Sequence, residues 1–126
     1  MTLNVPVSLG ELVDKITILE IKCERLKDAE KVKHAKKEKD LLENCLKSLG
    51  IEGWESLRNE LKVINETLWE IEDDIRAKER DKAFDDEFVQ LARNVYLTND
   101  KRFEAKNKLN QSFGSEICEV KSYEGY

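Results

Sequence analysis

The sequence predicts an all-α fold: an antiparallel bundle of about four helical segments with a short non-helical C-terminal tail. Three observations carry this. Breakers are scarce, with one Pro and five Gly in 126 residues that are 40% hydrophobic and 39% charged, a balance suited to long amphipathic helices with few turns. Apolar residues recur at spacings of three and four through most of the chain. Capping residues or glycines stand where those stripes begin and end. The length fits one domain with one core, spanning residues 1–126.

Residues 1–7 read as an extended lead ending at Pro6-Val7. Ser8-Leu9-Gly10-Glu11 matches a capping box, in which the Ser8 hydroxyl takes the Glu11 N–H and the Glu11 side chain returns to the Ser8 N–H. The helix that starts there carries the seam Leu12, Ile16, Leu19, Cys23 and Leu26. The next stripe, Val32, Ala35, Leu42, Leu46 and Leu49, has Lys39 at its missing position. It is displaced by two residues from the first register, about 200° around a helix. A straight helix from Leu9 to Leu49 would be about 60 Å long, against a diameter of roughly 35 Å for a compact chain of this size. A break near Lys27 to Glu30 follows, with Asp28 as N-cap of a second helix.

Gly50 and Gly53 end that helix and start a turn. Trp54 reads as a helix-start residue packing over it. The third seam is the cleanest: Leu57, Leu61, Ile64, Leu68, Ile71 and Ile75, fraying among Lys78 to Lys82. Asp85 is the expected cap of a fourth helix with seam Phe88, Leu91, Val95, Thr98, Arg102, Ala105 and Leu109, ended by Gly114. In residues 115–126, Ile117, Val120 and Tyr123 are expected to pack an extended tail back on the body. The predicted common core is Leu12, Ile16, Leu19, Leu57, Leu61, Ile64, Leu68, Ile71, Phe88, Leu91 and Val95.

A net charge of −5 gives no general drive toward nucleic acid. The charge is uneven: residues 27–40 hold six Lys against four acids, and residues 66–87 hold ten acids against four Lys or Arg. Either both are solvated helix faces, or the two regions meet within one chain or between two chains. Cys23, Cys45 and Cys118 are odd in number and include no C-x-x-C pair, which points to a reducing, cytoplasmic setting. No apolar run approaches a membrane span, and the first seven residues are too short and polar for a targeting segment.

The segment Asn65 to Arg76 carries two stripes at once. Leu68, Ile71 and Ile75 belong to the seam. Asn65, Trp69, Glu72, Asp73 and Arg76 share an adjacent face, where a solvated helix has no reason to hold a Trp among acids and an Arg. Arg102 stands at a core register of the fourth helix and needs an acid or a route to water. Glu72, Asp73 and Asp74 are the expected partners, with Asn65, Asn99 and Asp100 adding polar rungs. Such a layer either fixes helix register or binds a ligand. Glu70 and Asp73 form an E-x-x-D pair, with Glu66 one turn earlier. All-α nucleotide pyrophosphatases hold Mg²⁺ with such carboxylates, which makes a Mg-dependent enzyme of that kind one alternative; Glu70 and Asp73 are the candidate metal ligands. No Gly-rich phosphate loop, nucleophile elbow or Cys/His pair is present, and no cofactor follows from the sequence.

Three segments, Ser8 to Leu19, Leu68 to Arg76, and Gly114-Ser115 through Lys121-Ser122-Tyr123, are together similar to a family of small bacterial proteins of unknown function. The resemblance covers nearly the whole chain. A related family shares the Leu-Trp-x-x-Glu-Asp-x-x-Arg and Asn-Asp elements, here Leu68 to Arg76 and Asn99-Asp100. Where relatives carry a paired acid before the Lys-Ser-Tyr ending, this chain has Glu119-Val120. Such families occur with glycosyltransferase genes for cell-surface polysaccharide, which implies a role near sugar transfer and a partner in that pathway.

Two functions are therefore expected. The first is a ligand-binding bundle using Asn65, Trp69, Glu72, Asp73, Arg76, Asn99, Asp100 and Arg102, closed by Lys121 and Tyr123. A nucleotide or nucleotide-sugar suits it, since Arg and Lys suit phosphate, acids suit hydroxyls and Trp suits a ring. The second is a non-catalytic interaction module that forms a homodimer or docks on a partner enzyme.

Overall fold

The computed structural model describes residues 1–117, 119 and 120. Four helices account for most of them: α1 Leu9–Arg25, α2 Ala29–Ser48, α3 Glu55–Arg80 and α4 Asp86–Ser112. No strand occurs among the described residues. The expected break falls at residues 26–28, with Asp28 Oδ1 accepting from the N–H of Glu30 (2.9 Å) and of Lys31 (3.3 Å). Asp85 caps α4 by accepting from the Phe88 N–H at 2.9 Å. Gly50 and Gly114 both adopt φ +64° just past the helices they follow.

Side-chain pairs give the directions. Lys15 reaches Glu38 at 3.3 Å, so α2 returns antiparallel along α1. Glu20 meets Arg58 and Glu24 meets Lys62, so α3 runs parallel to α1. Gly10 meets Asn110 and Asp14 meets Arg102, so α4 is antiparallel again. The order is up-down-up-down, with α1 packed against all three other helices, while α2 lies closest to α1 and reaches α3 through side chains, Glu43 meeting Arg58 and Leu46 sharing the core with Leu61.

That position explains the burial of α1. Val13, Ile16 and Ile21 are fully buried and Leu19 nearly so, together with the polar Asp14 and Thr17. A helix enclosed on several sides is buried well beyond one stripe. The hydrophobic core joins Val13 and Ile16 to Leu46, Leu61, Ala105 and Leu109, with Leu12, Leu57, Ile64 and Trp54 packed around it. The Trp54 indole N–H donates to the Ile51 carbonyl at 3.1 Å, fastening the α2–α3 turn.

Six expected core residues are not in this cluster: Leu19 and Ile71, which are buried apart from it, Leu68, which is half-buried, and three residues of α4. Phe88, Leu91 and Val95 are only half-buried. α1 stops at Arg25, whose guanidinium reaches Glu66 and Glu70. α3 continues past Glu70 to Arg80, about 15 Å further at 1.5 Å per residue. The far end of the α3–α4 hairpin is thus a two-helix projection, and two helices cannot enclose a seam. Near its turn, Phe84 and Phe88 pack edge to face with centroids 5.2 Å apart. Leu49, expected in the second stripe, is 54% exposed. Ile117 and Val120 are exposed rather than packed on the body. Tyr123 lies outside the described residues. Within the chain the Lys-rich and acid-rich regions make no ion pair with each other among the described residues.

Candidate functional site

α1, α3 and α4 converge on a buried polar layer. Asp14 on α1 is 1% exposed and carries a full carboxylate into the interior. From α4, Arg102 donates through Nε to Oδ1 at 2.9 Å and through Nη2 to Oδ2 at 2.6 Å. From α3, the Asn65 amide donates to Asp14 Oδ1 and to Thr17 Oγ1, both at 2.9 Å. The Thr17 hydroxyl in turn donates to the Asp14 backbone carbonyl at 2.8 Å. Two-point geometry and a satisfied carboxylate are what permit a charge at this depth. The hydrogen bonds to Asp14 raise the Arg102 guanidinium above its usual value, against burial that works the other way.

The expected pairing of Arg102 with Glu72 or Asp73 is therefore corrected: its ion-pair partner is Asp14. Glu72 pairs instead with Arg76 one turn along α3, at 3.4 Å. The expected face nevertheless assembles. Asn65, Trp69, Glu72, Asp73, Arg76 and Arg102 line one groove of about 300 Å³, floored by Ile18, Ile21 and Leu68. Arg102 is its fixed cation, oriented by a buried acid. Arg76 is its outer one, with a side chain 74% exposed. Trp69 is half-buried at the wall. Asn99 and Asp100, half-buried within one turn of Arg102 on α4, are not among the lining residues. Lys121 and Tyr123 lie outside the described residues.

Below this layer the start of α1 is closed by protein groups. The N–H of Glu11 goes to Ser8 Oγ (3.1 Å), that of Gly10 to Asn110 Oδ1 (2.7 Å) and that of Leu9 to Ser115 Oγ (3.4 Å). These donors are spent, so the helix terminus offers no anion site. Half of the expected capping box forms. The Glu11 carboxylate goes instead to Lys106, whose Nζ sits 2.7 Å from both Glu11 and Glu119. Burial pulls the Lys106 ammonium down, but its hydrogen bonds to Glu11 and Glu119 outweigh that and leave it above its usual value. Gly10 permits this approach, because a Cβ there would overlap the backbone carbonyl of Lys106.

Glu70, one of the two candidate metal ligands, is engaged by Arg25 at 3.3 Å, while Asp73 lines the groove. Among the described residues, no group of three or more His, Cys, Asp or Glu is placed to hold a metal. A second groove of about 420 Å³ lies between α3 and α4, lined by Glu60, Val63, Ile64, Lys101, Glu104, Ala105 and Lys108. It is larger but has no aromatic wall and no cation fixed by a buried partner. No helix is long and apolar enough to cross a membrane among the described residues.

Sequence reasoning missed Asp14, Thr17 and Lys106. A signal for the first two is present: Ile18 and Ile21 lie off the α1 seam, so α1 must be buried on more than one face. Polar residues on those faces are then interior too.

Fold and groove define a four-helix bundle with a polar layer at its centre and an open amphipathic groove beside it. The chain belongs to the Family of unknown function (DUF6165), whose model matches residues 3–126. No curated protein and no solved structure matches it.

Proposed function

We propose that this single 126-residue domain binds a small ligand in the α1/α3/α4 groove, and that the ligand is a nucleotide or nucleotide-sugar. The observation that carries the reading is the company Arg102 keeps: a guanidinium oriented by buried Asp14, in one groove with Trp69, Arg76, Glu72 and Asp73. The two arginines suit a phosphate, Trp69 offers a flat wall for a ring, and the two carboxylates suit hydroxyls. The groove is at the small end of ligand sites. It holds one ring and its phosphate, and the rest of a nucleotide-sugar lies along the open side. The motif resemblance favours a cytoplasmic role beside glycosyltransferases of surface polysaccharide synthesis.

A thermal-shift screen with nucleoside mono- and diphosphates and nucleoside diphosphate sugars, each with and without Mg²⁺, tests this. Reproducible stabilisation by one class is expected. It should vanish in the double variant Asp14→Asn/Arg102→Met, which removes both charges and keeps an acceptor for Asn65. No stabilisation by any probe contradicts the reading. A second reading, a helical interaction module, draws on the exposure of Leu41, Leu49, Phe84 and Val89.

A further inference from the structure

α2 is the outermost helix, and one of its flanks is apolar without a partner. Leu41, Cys45 and Leu49 recur every four residues and form a single ridge. Leu41 and Leu49 are each 54% exposed and Cys45 is exposed as well. The inner face of the same helix, Ala35 and Leu46, is already buried. The ridge therefore adds nothing to the core of its own chain.

We propose that this ridge is the contact face of a symmetric homodimer, in which α2 lies antiparallel on α2 of a second copy with the two-fold axis at Cys45. The charge pattern selects a second copy as the occupant, and the ridge accommodates it. The ridge is self-complementary: Leu41 and Leu49 stand four residues either side of Cys45. A two-fold axis there sets Leu41 of each copy against Leu49 of the other and the two Cys45 side chains together. The charge is self-complementary too. The N-terminal half of α2 holds Lys31, Lys33, Lys36 and Lys37 against Glu30 and Glu38, and Glu52 and Glu55 follow its C-terminus beyond Lys47. Antiparallel pairing about Cys45 sets position 37 of each copy opposite position 53 of the other, which brings Lys37 toward Glu52. Within the chain, Lys36 is paired with Asp40. Lys31, Lys33, Lys37, Glu52 and Glu55 make no ion pair among the described residues.

A contact through one helix flank is small, so a charge at its centre should break it. Sedimentation velocity over a concentration series, with a short bis-maleimide crosslinker as proximity probe, reads this out. The wild-type chain is expected to dimerise with concentration and to crosslink through Cys45. Cys45→Ser should abolish the crosslink, and Cys118→Ser should retain it. Leu41→Glu should sediment as a monomer with unchanged helical circular dichroism, since the position is exposed. A monomer at every concentration overturns the proposal. So does a dimer that survives Leu41→Glu or crosslinks equally well without Cys45. None of these outcomes depends on the groove.

Discussion

Asp14 and Arg102, 88 positions apart in sequence, meet through two hydrogen bonds of 2.9 and 2.6 Å at the crossing of α1 and α4. The carboxylate is 1% exposed while the guanidinium side chain keeps 28% of its surface. The acid is thus wholly dependent on its partners, whereas the base still faces the groove. Arg102→Ala strips the buried Asp14 of its counter-charge. The expected cost is about 3–5 kcal/mol, measured by urea denaturation. Asp14→Asn/Arg102→Met should recover much of it, because no charge then remains buried.

Lys106 should behave oppositely although it is itself nearly buried. Its partners Glu11 and Glu119 are 46% and 42% exposed and stay hydrated when the ammonium is removed. Lys106→Met is expected to cost only about 0–1 kcal/mol in the same assay. A loss as large as that of Arg102→Ala would show that the two ion pairs form one unit.

Gly10→Ala tests the close approach of α1 to α4. The new methyl meets backbone, which cannot rotate away as a side chain can. The helices must separate, at an expected cost of about 1–3 kcal/mol, visible as a lower melting temperature with the helical signal retained.

The polar layer and the helix ends differ in how far they were legible. Asp28, Ser8 and Asp85 cap helices where the sequence places them, because a cap is a local event between residues two or three apart. The turn between α1 and α2 is readable from stripe phase and helix length, with no Gly or Pro to mark it. Asp14 was not readable, since a lone acid beside an apolar seam looks solvated until α4 brings Arg102 to it. The residue types from Asn65 to Arg76 set the Trp69 face apart in the sequence, but they point Arg102 to the acids of α3, whereas its partner Asp14 lies on α1. Phe88, Leu91 and Val95 repeat at proper core spacing. Their half-burial depends on where α1 ends relative to the hairpin, which periodicity does not encode.

Glu43 gives the expected pH dependence. It accepts from Arg58 at 3.2 and 2.5 Å. That hydrogen bonding holds its carboxyl below the usual glutamate value, against partial burial and helped by the charge of Arg58. A carboxylate lowered in the folded state stabilises the fold above the ordinary glutamate range, and that contribution fades as pH falls through the folded-state value. Glu43→Gln should therefore cost about 1–3 kcal/mol at neutral pH. The gap to wild type should close in acid, as followed by denaturation over a pH series.

The most direct test of the groove uses the two tryptophans. Trp54 is fastened to the Ile51 carbonyl at the α2–α3 turn, and Trp69 lines the groove, so their indole N–H resonances report separate places. Titration with the nucleotide or nucleotide-sugar that stabilises the protein should shift the Trp69 indole signal saturably and leave that of Trp54 in place. The Trp69 response should be lost in Asp14→Asn/Arg102→Met. Saturable binding that leaves Trp69 unmoved, or that moves Trp54 instead, would contradict the assignment of the site.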